Sequence, residues 1–149
     1  MSPLEVIAQT NIERIKFELI QSLRIPDHIV TIEMTKRGDT ASIRVISKPM
    51  DNSKEWNHTA MDTSYSMEIS RFSQIANLVQ KISQNDIEKS KVDGFDGYTC
   101  TIGFGIAENL LYYSVWSPDY ATKKRNLTEF MRVCTLIIKT ADLNKRKLM

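Results

Sequence analysis

Residues 98–116 read Tyr-Thr-Cys-Thr-Ile-Gly-Phe-Gly-Ile-Ala-Glu-Asn-Leu-Leu-Tyr-Tyr-Ser-Val-Trp. Tyr98, Cys100, Ile102 and Phe104 alternate with Thr99, Thr101 and Gly103, the period of two that makes a strand with one apolar face. Leu111, Tyr113 and Val115 repeat the pattern, so the two runs form an antiparallel hairpin turning near residues 107–109. After Ser117-Pro118-Asp119, the residues Leu127, Phe130, Met131, Cys134, Ile137, Ile138 and Ala141 fall on one stripe of a helix. A strand pair with one apolar face and a helix with one apolar stripe cover each other. Residues 96–143 are therefore expected to form the heart of the fold.

Upstream, Ser70 is placed to cap a helix whose inner face is Phe72, Ile75, Leu78, Val79 and Ile82. A short strand around residues 63–69 precedes it, and a polar linker, residues 83–93, follows it. Val30, Ile32 and Met34 alternate with polar residues and return as Ala41, Ile43 and Val45 after Lys36-Arg37-Gly38-Asp39, a second hairpin. Pro49 ends it, and residues 49–62, with Trp56, show no periodicity, as in a functional or mobile loop.

The first element has two readings. Leu4, Ala8, Ile12, Ile15, Leu19 and Leu23 follow a helical stripe from a Ser2, Pro3, Glu5 start to a stop at Pro26. Ile15, Phe17 and Leu19 also alternate, as in a strand. The wealth of Glu, Gln, Lys and Leu, with no turn residue between the halves, favours helix. The expected order is α-β-β-β-α-β-β-α, an α+β domain spanning residues 1–149. Its antiparallel sheet has about five strands, with helices packed mainly on one face.

The chain has 149 residues, 42% hydrophobic and 26% charged, which is ordinary for a single globular domain. No apolar run reaches membrane-spanning length and no secretory signal opens the sequence, making the cytoplasm the default compartment. A formal charge of +2 is too small to imply nucleic acid, and no RNP-type or KH-type motif is present. Lys123-Lys124-Arg125 and Lys145-Arg146-Lys147 are the basic clusters; the second reads as a solvated helix end. Cys100 and Cys134 both take inward registers, as buried free thiols in a reducing compartment, with a disulfide as the alternative. With only His28 and His58 besides, no metal-ligand spacing arises and no cofactor is implied.

The Asp93-Gly94 and Asp96-Gly97 pairs lack the spacing of a calcium loop and read as turns. Gly103-Phe104-Gly105 lacks the third glycine and following helix of a nucleotide loop, so a bulge or close packing explains it better. No nucleophile–base pair stands out. Catalysis by paired carboxylates is left open as the enzyme alternative. One constellation has recognition character. If Tyr113 and Val115 face the core, Tyr112, Ser114 and Trp116 face outward, followed by Tyr120 and Lys123-Lys124-Arg125. Aromatic and basic side chains of this kind supply most binding hot spots. Trp56 is a further candidate contact.

Asp96-Gly97-Tyr98, the hairpin, Trp116-Ser117-Pro118 and the helix with an inward cysteine resemble small bacterial α+β immunity proteins. Those belong to toxin–immunity systems of the contact-dependent inhibition and type VI secretion kinds. The likeness covers residues 93–143 and carries over no functional residues. It implies a non-catalytic, cytoplasmic protein that binds a protein partner, a toxin domain. The order of elements is also similar to that of type III secretion chaperones, which are acidic dimers, whereas this chain is mildly basic.

Overall fold

The structure, a computed structural model, describes residues 12–21, 28–48, 61–90 and 97–141. Within them the chain is α+β. Six strands form one antiparallel sheet in the order β4-β3-β2-β1-β5-β6. They are β1 (Arg14–Gln21), β2 (Ile29–Arg37), β3 (Thr40–Lys48), β4 (Met61–Met67), β5 (Tyr98–Ile106) and β6 (Asn109–Trp116). The described helices are α1 (Ile69–Val79), α2 (Gln84–Lys89) and α3 (Thr128–Thr140).

The sixth strand comes from the segment for which helix was favoured. Residues 14–21 form β1, at the centre of the sheet between β2 and β5. Helix propensity separates ordinary residues by only a few tenths of a kcal/mol each. Full burial of a large apolar side chain contributes about 1.5–3 kcal/mol. As a strand, β1 buries Ile15, Phe17 and Leu19 together and puts Lys16 and Glu18 on the opposite face. Tertiary pairing therefore outweighs local preference. The rest of the expected first helix, with Ser2 and Pro3, lies outside the described residues. So do Trp56 and Lys145-Arg146-Lys147.

Smaller corrections follow from the same accounting. Met61 and Asp62, expected in a loop, pair with Ser47 and Ile46 in the β3–β4 ladder. Ser70 lies inside α1, whose N-cap is Glu68 and has no side-chain cap bond. The expected polar linker contains α2, capped by Ser83 Oγ accepting from the Asp86 N–H at 3.3 Å and anchored by buried Ile87. The two hairpins and α3 lie where the periodicity puts them.

Every strand but β4 buries alternate residues on the helix-bearing side. Val30, Ile32, Met34, Ile43, Val45, Cys100, Ile102 and Val115 meet Phe72, Ile75 and Val79 of α1 and Phe130, Val133, Cys134 and Ile137 of α3 in one core. Cys100 and Cys134 are free, fully buried thiols. Burial and then a hydrogen-bonding contact with Cys100 push the Cys134 thiol well above its ordinary value. No described helix is long and apolar enough to cross a membrane.

Two predictions arise from this core. Phe17→Ala should lower unfolding free energy by about 3–5 kcal/mol in urea denaturation, because β1 has no free side on which to relax. The raised Cys134 pKa gives a signed pH dependence. In the unfolded chain the thiol ionises near pH ~8.5, while in the folded chain it stays protonated. Stability is then complete below that pH and falls as pH rises through it. Thermal midpoints should drop above about pH 8.5, with a shallower drop for Cys134→Val.

Candidate functional site

With Cys100, Ile102 and Val115 inside, parity puts the alternate residues of β5 and β6 on the helix-free face of the sheet. Thr101 and Ser114 stand directly opposite one another there, their hydroxyls 3.0 Å apart. Gly103 stands opposite Tyr112 and Thr99 opposite Trp116. Each aromatic ring has a glycine of the neighbouring segment beneath it. A Cβ on Gly103 would come within 2.5 Å of the Tyr112 ring, and one on Gly97 within 3.1 Å of the Trp116 indole nitrogen. The Tyr112 ring therefore lies closer to the β5 backbone than any larger residue would permit, while the Trp116 ring is in tight contact with Gly97 just before β5. The expected close packing at Gly103 is thus what the structure contains, and Gly97 adds a second instance at φ +129°.

The segment after β6 is tightly built. Ser117, Ala121 and Asn126 have φ of +40°, +50° and +55°, a region side chains other than glycine seldom adopt. Such residues cost of order 1 kcal/mol or more each and persist only where surroundings hold them. The holding group is Arg125. Its guanidinium donates to the carbonyls of Ser90 (3.0 Å), Ser117 (2.8 Å), Tyr120 (2.9 Å) and Trp116 (3.0 Å). Burial lowers its pKa, yet an arginine remains charged at any physiological pH. Thr122 Oγ1 donates to the Pro118 carbonyl at 2.8 Å, and the Ser117 N–H donates to the Tyr98 carbonyl at 2.6 Å. The Tyr98 hydroxyl is buried without a hydrogen bond of good geometry. Burial first, and nearby Asp119 second, push its pKa far above the phenol range.

This loop presents Tyr120, which is 63% exposed, together with exposed Lys123 and Lys124. Tyr112 on the adjoining strand is 52% exposed. Trp116 is half-buried over Gly97, with one side of its ring against the chain. Of the residues expected to form a contact face, Tyr112 and Trp116 share the helix-free face of β6, and Tyr120, Lys123 and Lys124 are exposed on the loop that follows it. Arg125 is there too, but its donors serve backbone carbonyls inside the loop. Trp56 lies outside the described residues. The loop clamp had no signal in the basic run itself; Asn126, tolerant of positive φ, was the only local hint of a tight turn.

Two other concavities occur among the described residues. One, about 500 Å³, lies between α1 and α3 and is lined by Leu78, Met131 and Leu136, with Arg132 and Lys139 at its rim. The other, about 380 Å³, lies between Tyr65 and Arg71 and contains a single acid, Glu68. Compared with protein-family models and with curated proteins, the chain matches none.

Arg125→Ala should lower unfolding free energy by about 2–3 kcal/mol in urea titration, since it removes charged donors from several carbonyls at once. Arg125→Lys should recover only a minor part, because an ammonium lacks the planar fork that spans them.

Proposed function

We propose that this chain is a non-catalytic protein-binding protein, acting in a bacterial cytoplasm to neutralise a toxin domain by covering it. The observation that carries the reading is the pairing of exposed Tyr112 and Tyr120 with a loop held rigid by Arg125. A rigid loop loses little freedom on association, so the aromatic contacts are converted into affinity with small entropic loss. Tyrosine gives a large contact area from few rotatable bonds. Lys123 and Lys124 beside it favour a partner with an acidic patch and make association salt-dependent.

The test is co-expression with the protein encoded by the neighbouring reading frame, which this reading expects to carry a toxin domain, followed by calorimetric titration of the purified pair. The wild-type chain should restore growth and bind tightly. The double variant Tyr112→Ala/Tyr120→Ala should raise Kd about 100-fold or more, roughly 3 kcal/mol. Gly103→Ala should also weaken binding, because the added methyl displaces the Tyr112 ring without removing it. Growth arrest in the presence of wild-type chain would contradict toxin neutralisation. Unchanged affinity of the folded double variant would contradict the assigned surface.

A further inference from the structure

β6 is the last strand of the sheet, and its outer edge has an unusual composition. In an antiparallel ladder, alternate residues direct their backbone groups toward one neighbour or the other. The Ser117 N–H donates to the Tyr98 carbonyl, so the odd-numbered residues of β6 face β5. Leu110, Tyr112, Ser114 and Trp116 therefore direct their backbone groups over the edge. The Trp116 carbonyl is taken by Arg125 at 3.0 Å, and the Leu110 N–H by the Glu108 carbonyl at 3.1 Å. The Leu110 carbonyl and both backbone groups of Tyr112 and Ser114 remain available for pairing.

Proteins usually guard such edges with lysine, other charges, proline or a bulge. The opposite edge strand, β4, carries Asp62 in an ion pair with Arg44 at 2.7 Å. β6 reads Asn-Leu-Leu-Tyr-Tyr-Ser-Val-Trp, with no charge and no proline. Leu111 is 46% exposed even though its register is that of the inner face. Charge appears only beyond the strand: Glu108 just before it, and Asp119, Lys123 and Lys124 on the loop after it, where Arg125 is committed to backbone carbonyls.

We propose that β6 is the seam of a twofold homodimer. Residues 110–114 of two copies pair antiparallel about an axis at Tyr112, joining two sheets into one. This register uses the backbone groups that are free. The Tyr112 N–H of each copy donates to the Tyr112 carbonyl of the other, and the Ser114 N–H donates to the Leu110 carbonyl of the other. An axis at Tyr113 would instead pair Tyr112 with Ser114; the axis at Tyr112 is the one that lays the exposed Leu111 against the Tyr113 ring of the mate. On the inner face, Leu111 of one copy lies opposite Tyr113 of the other, which covers the exposed leucine. Antiparallel pairing also brings the start of one strand to the end of the other. Glu108 of each copy then lies beside the loop carrying Lys123 and Lys124 of its mate, so one patch complements itself, as an isologous contact requires. With Asp119 on the same loop, the contact sets two acids against two lysines and is near neutral, and Tyr120 stays uncovered. The proposal goes beyond the toxin-binding reading and stands without it.

Sedimentation velocity on the full chain at low salt, diluted from roughly 0.5 mM, decides the matter. Wild type should show a concentration-dependent monomer–dimer equilibrium. Ser114→Pro removes an edge N–H while sparing the backbone bonds to β5, though not the hydroxyl contact with Thr101, and should raise the dimer dissociation constant about tenfold or more. Glu108→Lys, a surface change that leaves folding intact, should weaken the dimer. Adding Lys123→Glu and Lys124→Glu to it should restore affinity. A wild type that stays monomeric throughout, or a dimer indifferent to Ser114→Pro and to charge reversal, would overturn the proposal. If Ser114→Pro fails to fold by circular dichroism, the charge series alone decides. Toxin binding followed in Tyr120→Ala, a residue off the seam, reports separately on the other reading.

Discussion

Cys100 and Cys134 lie buried where the inner face of the sheet receives the stripe of α3, and burial of that face decides which way every residue of β5 and β6 points. A strand has only two faces, so a slip of one residue would turn Cys100, Ile102 and Val115 to water and bring Thr101 and Ser114 inside. Losing the burial of several apolar side chains, and enclosing hydroxyls in their place, makes that alternative costly by many kcal/mol. The register of the terminal hairpin is therefore strongly specified, although its outer face contributes little to the choice.

Once the inner face is set, the outer face follows from geometry. Tyr112 and Trp116 fall on the side without helices, and the glycines below them let their rings lie against β5 and the residue just before it. The turn after Trp116 must then leave the sheet and enter α3 within a few residues. It does so through three residues with positive φ, held by one guanidinium. Strain of this kind is kept only where something restrains it. Here the restraint also fixes where Tyr120 stands, because its carbonyl is one of those the guanidinium holds. A chain segment that could be relaxed with glycine is instead built from Ser117, Ala121 and Asn126.

How much of this was legible before the fold depended on whether each element carried its own burial pattern. The hairpins β2–β3 and β5–β6 and the helix α3 did, because each repeats apolar residues at its own period. The outward setting of Tyr112 and Trp116 followed by parity from Cys100 and Val115. β1 was legible only as the less favoured of two readings, because Ile15, Phe17 and Leu19 alternate but gain their burial only when β2 and β5 pair with the strand from both sides. Its partner β5 lies some eighty residues downstream, far beyond any local signal. The short α2 was hidden for a different reason: one buried isoleucine among polar residues makes no periodicity. Arg125 stood in a basic run that reads as part of a contact surface, and its structural role arises from carbonyls supplied by Ser90 and the end of β6.

The central claim is that the closing hairpin is one-sided, with thiol inside and phenol outside. Nuclear Overhauser contacts in the folded chain test it most directly. The account predicts strong contacts between the Tyr112 ring protons and the Gly103 Hα protons, and none between that ring and Phe130 or Ile137. Contacts from the Tyr112 ring to those two α3 side chains, with Gly103 showing none, would contradict it.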